Sequence, residues 1–465
     1  MEEAELDRLR SEIREVSMEI LSLLKRRQEL AAKIGEVKNR LGLEIHQPEV
    51  EGELRTFLVK QGKLMGLNPR LVNGLATLLF KDSTSIQQKK HSTITHMDIL
   101  RRGLELERAG FQVHHLEVGE PDLGAPAEVR EAVSSAVRQG LARYGDSRGL
   151  PQLRKKIAEQ LEAKFKTRLG PENILVVPGG RFAVYLALKT LVEPGDEVIL
   201  VDPSWPMYRQ CVDFVGGRAV GVKTSLEKGW RPDTTSLENA ISPATKAIIL
   251  NYPNNPTGKS LEKRDFEEIV EIAESKGLTI ISDEVYYDYS FGAQSSILDG
   301  YDVKYVVVQS FSKSFGMTGY RIGYLVAGRE TVDKMASLIS LMITCVPEFI
   351  QYGALKALEL EEVPKKYSEI MRSRMEVAVR ELSRLPVDFY RPDGGMYVFP
   401  KLNSGGHDMV RLALELLESK GVAIAPGSIF GGYDSFFRIS LGASEKSIER
   451  GITLLGEFLR EKGLA

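Results

Sequence analysis

The sequence predicts two folded units of different class: an all-helical unit over residues 1–90 and an α/β unit with a mostly parallel sheet over residues 91–465. Three observations carry this expectation. Leu6, Leu9, Ile13, Val16, Ile20, Leu23, Leu30, Ile34, Val37 and Leu41 follow one another mostly at three- and four-residue steps, the seam of a long amphipathic helix. From about residue 110 the short apolar runs ILVVPGG, EVILVDPSW, AIILNYPNNPTG, TIISDEVYY and YVVVQSFSK alternate with amphipathic helices, as in a parallel sheet. Finally, a chain of 465 residues is longer than one core ordinarily organises.

Within the helical unit, a first helix is expected from about Glu3 to Arg40, broken by Gly42. A second begins after Pro48, and a third runs from Pro69 to about Gln88. The joint QQKKHST at 87–93 is polar and short. The formal net charge of -2 gives no general attraction to nucleic acid or to an anionic membrane. Cys211 and Cys345 lie far apart without metal-ligand spacing, so a reduced protein without disulfides is expected. MEEAELDRLR does not read as a signal peptide, and no apolar run is long enough to span a bilayer. A cytoplasmic protein is the expectation.

One letter disturbs the seam. The column 6, 13, 20 lands on Arg27 before resuming at Ile34 and Leu41. A cation in such a face is costly unless an anion meets it. An exposed position or an Arg–Glu pair would explain it. Lys38, however, lies eleven residues on and points within about 20° of Arg27, roughly 16 Å along the axis. Two long cations can therefore converge on one small dianion. Arg10 shares the heptad column of Lys38 but lies ~42 Å away; on a straight helix it cannot share their pocket, and it could serve the equivalent pocket of an antiparallel second copy.

RLRSEI, LKRRQELAAKIGEVK and KDSTSIQQ, within residues 4–88, resemble the all-helical chorismate mutases, in which three helices intertwine with a second copy. The resemblance implies that Arg27, with Arg10 of the other copy, binds the substrate carboxylates. It places Lys38 and Gln87 at the ether oxygen of the breaking bond, Ser83 at a carboxylate and Glu51 at the ring hydroxyl. Such a rearrangement needs a held conformer and charge stabilisation on the departing oxygen, which Arg and Lys supply. The match departs at Val50, where the family usually carries an Arg, and at Gln47, where Asp is common. An inactive, dimerising remnant is the alternative.

In the α/β unit, ligands are expected beyond the carboxyl ends of the strands. There the sequence places Gly179-Gly180-Arg181 before a helix, Ser204-Trp205, Asn254-Asn255-Pro256-Thr257-Gly258, Asp283 with Tyr286, and Ser310-Phe311-Ser312-Lys313 with Arg321 eight residues later. Singly these read as turns and core residues. Together, a lysine, a carboxylate, an aromatic plate and a phosphate nest describe a pyridoxal phosphate site. NYPNNPTG, DEVYYDY and SFSKSFGMTGYRIGY then resemble the class I, fold type I, aminotransferases from about residue 92 to 465. That resemblance implies a large domain at about 140–345 and a smaller one from about 91–139 and 346–465.

It also implies roles. Lys313 would be the Schiff-base lysine and proton carrier, and Asp283 the partner of the pyridine nitrogen. Tyr286 and Asn255 would hold the 3-oxygen, Trp205 would stack on the ring, and Gly180, Arg181, Ser310 and Arg321 would surround the phosphate. Tyr144 would reach the phosphate of a neighbouring subunit. Arg438 would fork onto the substrate α-carboxylate, with the Gly119 backbone nearby and Asn255 and Trp205 also facing substrate. Arg181 stands where some members use a cation for a distal substrate carboxylate; that role and phosphate contact both remain open.

Joined in one chain, the two resemblances imply a bifunctional enzyme of aromatic amino acid biosynthesis. It would form prephenate and transaminate prephenate, phenylpyruvate or 4-hydroxyphenylpyruvate with glutamate or aspartate. The alternative is an aspartate or broad-specificity aminotransferase behind an inactive mutase-like domain. Arg10 and Tyr144 imply a homodimer or larger homo-oligomer. A regulator built on a DNA-binding module is disfavoured, because residues 1–90 hold sixteen Lys/Arg against fourteen Asp/Glu and one long seam helix.

Overall fold

A computed structural model describes residues 2–41, 47–88, 96–165 and 167–464. Its internal contacts divide the chain into Met1–Thr93 and Ile94–Ala465. The break expected at Gly42, the side chain of Leu41 and most of the polar joint lie outside the described residues.

The first unit consists of α1 (Glu2–Leu41), α2 (Pro48–Leu64) and α3 (Pro69–Gln88). Pro48 and Pro69 each open a helix, where the missing N–H costs nothing. Gly66, at φ +76°, follows the end of α2, and the Leu67 N–H closes onto the Gly62 carbonyl at 2.9 Å. α1 meets α3 at Arg27, against Leu79 and Ser83, and at Gly35, against Gln87; on the same column Leu24, Arg27 and Lys38 are half-buried and Ala31 and Gly35 buried. Only part of the apolar seam lies apart from this column. On a 3.6-residue helix Leu23, Leu30, Ile34 and Val37 occupy the adjoining sector, while Leu6, Ile13 and Ile20 point the same way as Leu24, Ala31 and Lys38, about five turns nearer the N-terminus. Leu6, Leu9, Ile13, Val16, Ile20, Leu23, Leu30, Ile34 and Val37 remain 42–67% exposed. Arg27 lies on the border between the sector that α3 covers and the one left open.

The second unit is built on a seven-stranded sheet. Its spatial order is Ile174–Val177, Gly323–Ala327, Lys304–Ser310, Thr279–Asp283, Thr245–Asn251, Glu197–Asp202 and Arg218–Lys223. Only Gly323–Ala327 runs antiparallel to its neighbours. The inner strands are continuous Val/Ile/Leu runs because apolar clusters cover both faces, one around Leu153, Ile248 and Phe266 and the other around Leu186, Val198 and Met335. A further core gathers Leu116, Met371, Met396, Leu416, Ile439 and Ile448 around the strands Tyr397–Val398, Phe437–Ser440 and Ala425–Pro426. Among the described residues no helix is long and apolar enough to cross a membrane.

Asp202, Asn251, Asp283 and Ser310 each end a strand, as does Val177, which leads through Pro178 to Gly179. All five run in the same direction, so they deliver their next residues to one rim. Gly323 keeps that rim narrow. A Cβ there would lie 2.5 Å from the Gln309 carbonyl oxygen and 3.2 Å from the Cα of Gly179. Gly323→Ala should therefore lower the unfolding free energy by about 1–3 kcal/mol through overpacking. Denaturant titration checks this, and an unchanged midpoint would show that the strands yield freely.

Candidate active sites

At the rim of the sheet, helix Gly179–Leu191 begins with two glycines. Gly179 sits at φ +79°, and a Cβ on it would stand 2.9 Å from Nη2 of Arg321. A Cβ on Gly180 would stand 3.1 Å from Val285 Cγ1 and 3.8 Å from Ser310 Cβ. The predicted phosphate residues Gly180, Ser310 and Arg321 are thus gathered around bare helix N–H groups, a fitting cradle for a phosphate. Arg321 itself has φ +52°, and its Nη1 donates to the Thr318 carbonyl at 2.7 Å. Arg181 lies on the same helix, its guanidinium 5.4 Å from the centre of the Trp205 ring.

Asp283 is 3% exposed. Burial lifts its carboxyl to about 6, although the Tyr208 hydroxyl donates to Oδ2 at 2.6 Å and the Val285 N–H lies 3.3 Å from Oδ1. A carboxylate so placed lacks a cation, which a pyridinium nitrogen would supply. Tyr208 is a functional residue that the sequence reading missed. Its signal is spacing: one helical turn beyond Trp205, whose ring it meets edge-on at 5.4 Å.

Lys313 stands on the one-turn helix Phe311–Ser314, and its ammonium donates to the Gly119 carbonyl. Burial, with Arg438 and Arg321 nearby, lowers it to about 8, while Glu120 opposes. An amine poised there is readily neutral and nucleophilic. Arg438, 3% exposed, donates from Nη1 to Asn255 Oδ1 at 2.9 Å and from Nη2 to the Glu117 carbonyl. Asn255 is held in turn, its N–H donating to Asn251 Oδ1 and the Asn251 amide donating to the Asp283 carbonyl, both at 2.9 Å. The guanidinium lies 4.4 Å from the Tyr397 ring centre, and its Nε is buried without a partner.

Tyr397 also escaped the sequence reading. Its hydroxyl is 2.8 Å from that of Tyr286, and a Cβ on Gly119 would collide with it. It joins the residue expected at the 3-oxygen to the arginine expected at the substrate. Tyr144 is not brought to this site within the chain, being 87% exposed.

In the helical unit, Arg27 donates from Nη1 to the Leu79 carbonyl at 2.7 Å and to the Ser83 hydroxyl. Burial lowers its pKa, and Asp82 opposes this. Gly35 admits Gln87, since a Cβ there would lie 3.0 Å from Gln87 Cγ. The Gln87 amide oxygen is buried without a hydrogen-bond partner among the described residues. Arg27, Ser83 and Gln87 therefore line one side of the α1–α3 contact, with Lys38 and Glu51 half-buried. Val50 is exposed. Arg10 is exposed and paired with Asp7 at 3.3 Å, remote from Arg27 along α1.

Lysine, buried carboxylate, aromatic plate and phosphate cradle on one strand-end rim define a pyridoxal-phosphate-dependent enzyme of the α/β class. Residues 112–455 match the family described as aminotransferase class I and II, and residues 9–88 match chorismate mutase type II. The chain belongs to the class I and II aminotransferases and carries a type II chorismate mutase domain ahead of that fold; it is an enzyme of both the isomerase and transferase classes. It is 36% identical over 379 residues to a protein of Aquifex aeolicus named "Probable aspartate/prephenate aminotransferase", covering 78% of this chain and 95% of the relative. An aspartate/prephenate aminotransferase of Thermus thermophilus is 34% identical, with 77% and 94% covered. The crystal structure of aspartate aminotransferase from Thermotoga maritima superposes with TM-score 0.75 at 32% identity, covering 79% of this chain and 97% of that one.

The cofactor of this family, pyridoxal phosphate, supplies an electron sink when bound. The residues described fit it: Gly180, Ser310 and Arg321 for the phosphate, Asp283 for the ring nitrogen and Lys313 for the aldehyde carbon. The raised carboxyl of Asp283 has a consequence for stability without cofactor. Folding favours its protonated form, so its contribution is intact below 3.8 and is lost as pH climbs through about 6. Cofactor-free Asp283→Asn should gain melting temperature over the native apo-protein between about pH 4 and about pH 7. Pyridoxal phosphate should narrow that gap by supplying a cation. A gap independent of pH would contradict the uncompensated carboxylate.

Proposed function

We propose that the chain rearranges chorismate to prephenate in its helical unit. Its aminotransferase unit then transaminates an aromatic-pathway keto acid, prephenate first among them, with aspartate or glutamate as donor. One observation carries this reading: the domain whose product is prephenate is joined to an aminotransferase whose relatives are named for aspartate and prephenate. Aspartate and prephenate share a second carboxylate. Arg181, on the rim beside Trp205, supports a cation for it, while Arg438 forks onto the α-carboxylate.

In this reading Lys313 carries the proton between the two carbons of the 1,3-shift, which its depressed pKa favours. Tyr286 and Asn255 hold the ring oxygen and Trp205 covers the ring. In the helical unit Arg27 and Ser83 grip a carboxylate, Lys38 and Gln87 face the ether oxygen and Glu51 the hydroxyl. Arg10 completes the site of a second copy. The uncovered seam of α1 supports such a copy, as do exposed Tyr144 and a recess of about 510 Å³ lined by Pro178, Phe182, Met207 and Phe214 beside Arg181 and Arg321. The enzyme would work as a homodimer or larger homo-oligomer in the cytoplasm. Val50, where a cation is usual, favours a modest mutase rate.

Mass spectrometry of products from protein, pyridoxal phosphate, glutamate and chorismate, sampled before prephenate decays, tests the sequence of steps. Arogenate is expected. Prephenate that accumulates without amination would move the acceptor to phenylpyruvate or 4-hydroxyphenylpyruvate. Arg27→Ala should abolish prephenate formation and leave transamination intact; undiminished mutase turnover would remove Arg27 from the site.

A further inference from the structure

Lys313 is carried by a helix of only four residues, Phe311–Ser314. A helix so short has no stability of its own, and its last carbonyls have no helical N–H to accept from. The Met317 N–H, the natural partner of the Lys313 carbonyl, turns instead to Phe311 O at 3.4 Å. Two neighbours in DEVYYDY make up the deficit. The Tyr289 hydroxyl donates to the Lys313 carbonyl at 2.6 Å. The Ser314 hydroxyl donates to Asp288 Oδ2 at 2.7 Å, and Lys164 holds the other carboxylate oxygen at 3.1 Å.

These ties are anchored firmly. Tyr289 is 1% exposed and packs in the same apolar cluster as Tyr286, Met371 and Tyr397. Its own carbonyl accepts from the Gly395 N–H at 3.0 Å, and the Lys164 ammonium sits 4.1 Å from the centre of the Tyr287 ring. The segment that supplies Asp283 and Tyr286 to the cofactor thus also grips the lysine turn from behind, at the two consecutive residues Lys313 and Ser314.

We propose that Tyr289 and Asp288 are positioning residues that hold the Lys313 turn, so that Nζ stays aimed at the cofactor carbon while Asp283 and Tyr286 hold the ring. The coupling is geometric: a turn freed at its carboxyl end lets the lysine swing away from the arc that ends at Gly119. Tyr289→Phe removes one hydroxyl and keeps the ring that fills the core, while Ser314→Ala removes the second tie.

The test uses cofactor-free full-length protein mixed with pyridoxal phosphate and no substrate, so it reads nothing about the keto acid. Tyr289→Phe should capture the cofactor about tenfold more slowly. The pH midpoint of the absorbance of the lysine-bound cofactor should also shift. Ser314→Ala should change both in the same direction by less. Native capture rate and unshifted midpoint in both variants would overturn the proposal, even if melting temperature falls, because the ties would then serve stability alone. Should Tyr289→Phe fail to fold, the same two readings on Ser314→Ala decide.

Discussion

Asp283 is a carboxyl group taken out of water at the end of a central strand, and much of the larger unit arranges what that requires. An isolated buried carboxylate is unstable unless donors and a cation meet it. The protein supplies the donors from Tyr208 and the Val285 N–H, and in the proposed reading the cofactor would supply the cation. Around this point the strand ends bring Gly180, Arg321 and Lys313, which in the proposed reading would take the phosphate and the opposite end of the ring. The distances between these groups follow from the roughly 4.8 Å spacing of neighbouring strands.

The substrate side is tied to the same residue, through its backbone carbonyl and two amides. Asn251 donates to the Asp283 carbonyl and receives the Asn255 N–H, and Asn255 receives Arg438. Arg438 belongs to a different core, around Met396 and Ile439, so this chain of hydrogen bonds crosses from one packed cluster to another. Tyr397 adds a tie within that second core, with its ring 4.4 Å from the Arg438 guanidinium and its hydroxyl on Tyr286. A movement of either cluster would therefore be felt at both the ring oxygen and the carboxylate fork.

The helical unit solves a different problem. Its chemistry needs fixed positive charge around a dianion rather than a reactive group, and it sets cations at the border of an apolar face. Arg27 rests on Ser83 and the Leu79 carbonyl, which keeps a half-buried guanidinium hydrogen-bonded. The adjoining seam stays open along the described length of α1. Its exposed apolar side chains follow one another along the helix, and contiguous apolar patches mark interaction surfaces.

Much of this was legible in the sequence. Period-3.6 and continuous apolar runs distinguish α1 from the strands because each repeat reports a local backbone geometry. The end of each run marks the rim, which is why Asp283, Lys313 and Gly180 can be placed on one rim from position alone, while their roles come from the family resemblance. Tertiary structure decided three things that local pattern does not encode. Which stretch and sector of α1 meets α3 depends on the contacts at Arg27 and Gly35; they leave Leu23, Leu30, Ile34 and Val37 exposed beside the contact and Leu6, Ile13 and Ile20 exposed nearer the N-terminus. Tyr208, Tyr397 and Tyr289 gained their partners from strands and loops distant in the chain, and a tyrosine in an apolar stretch looks the same whether its hydroxyl meets a carboxylate or nothing. The hold on the Lys313 turn exists only because DEVYYDY folds behind it, a contact set by sheet order rather than by any residue on its own.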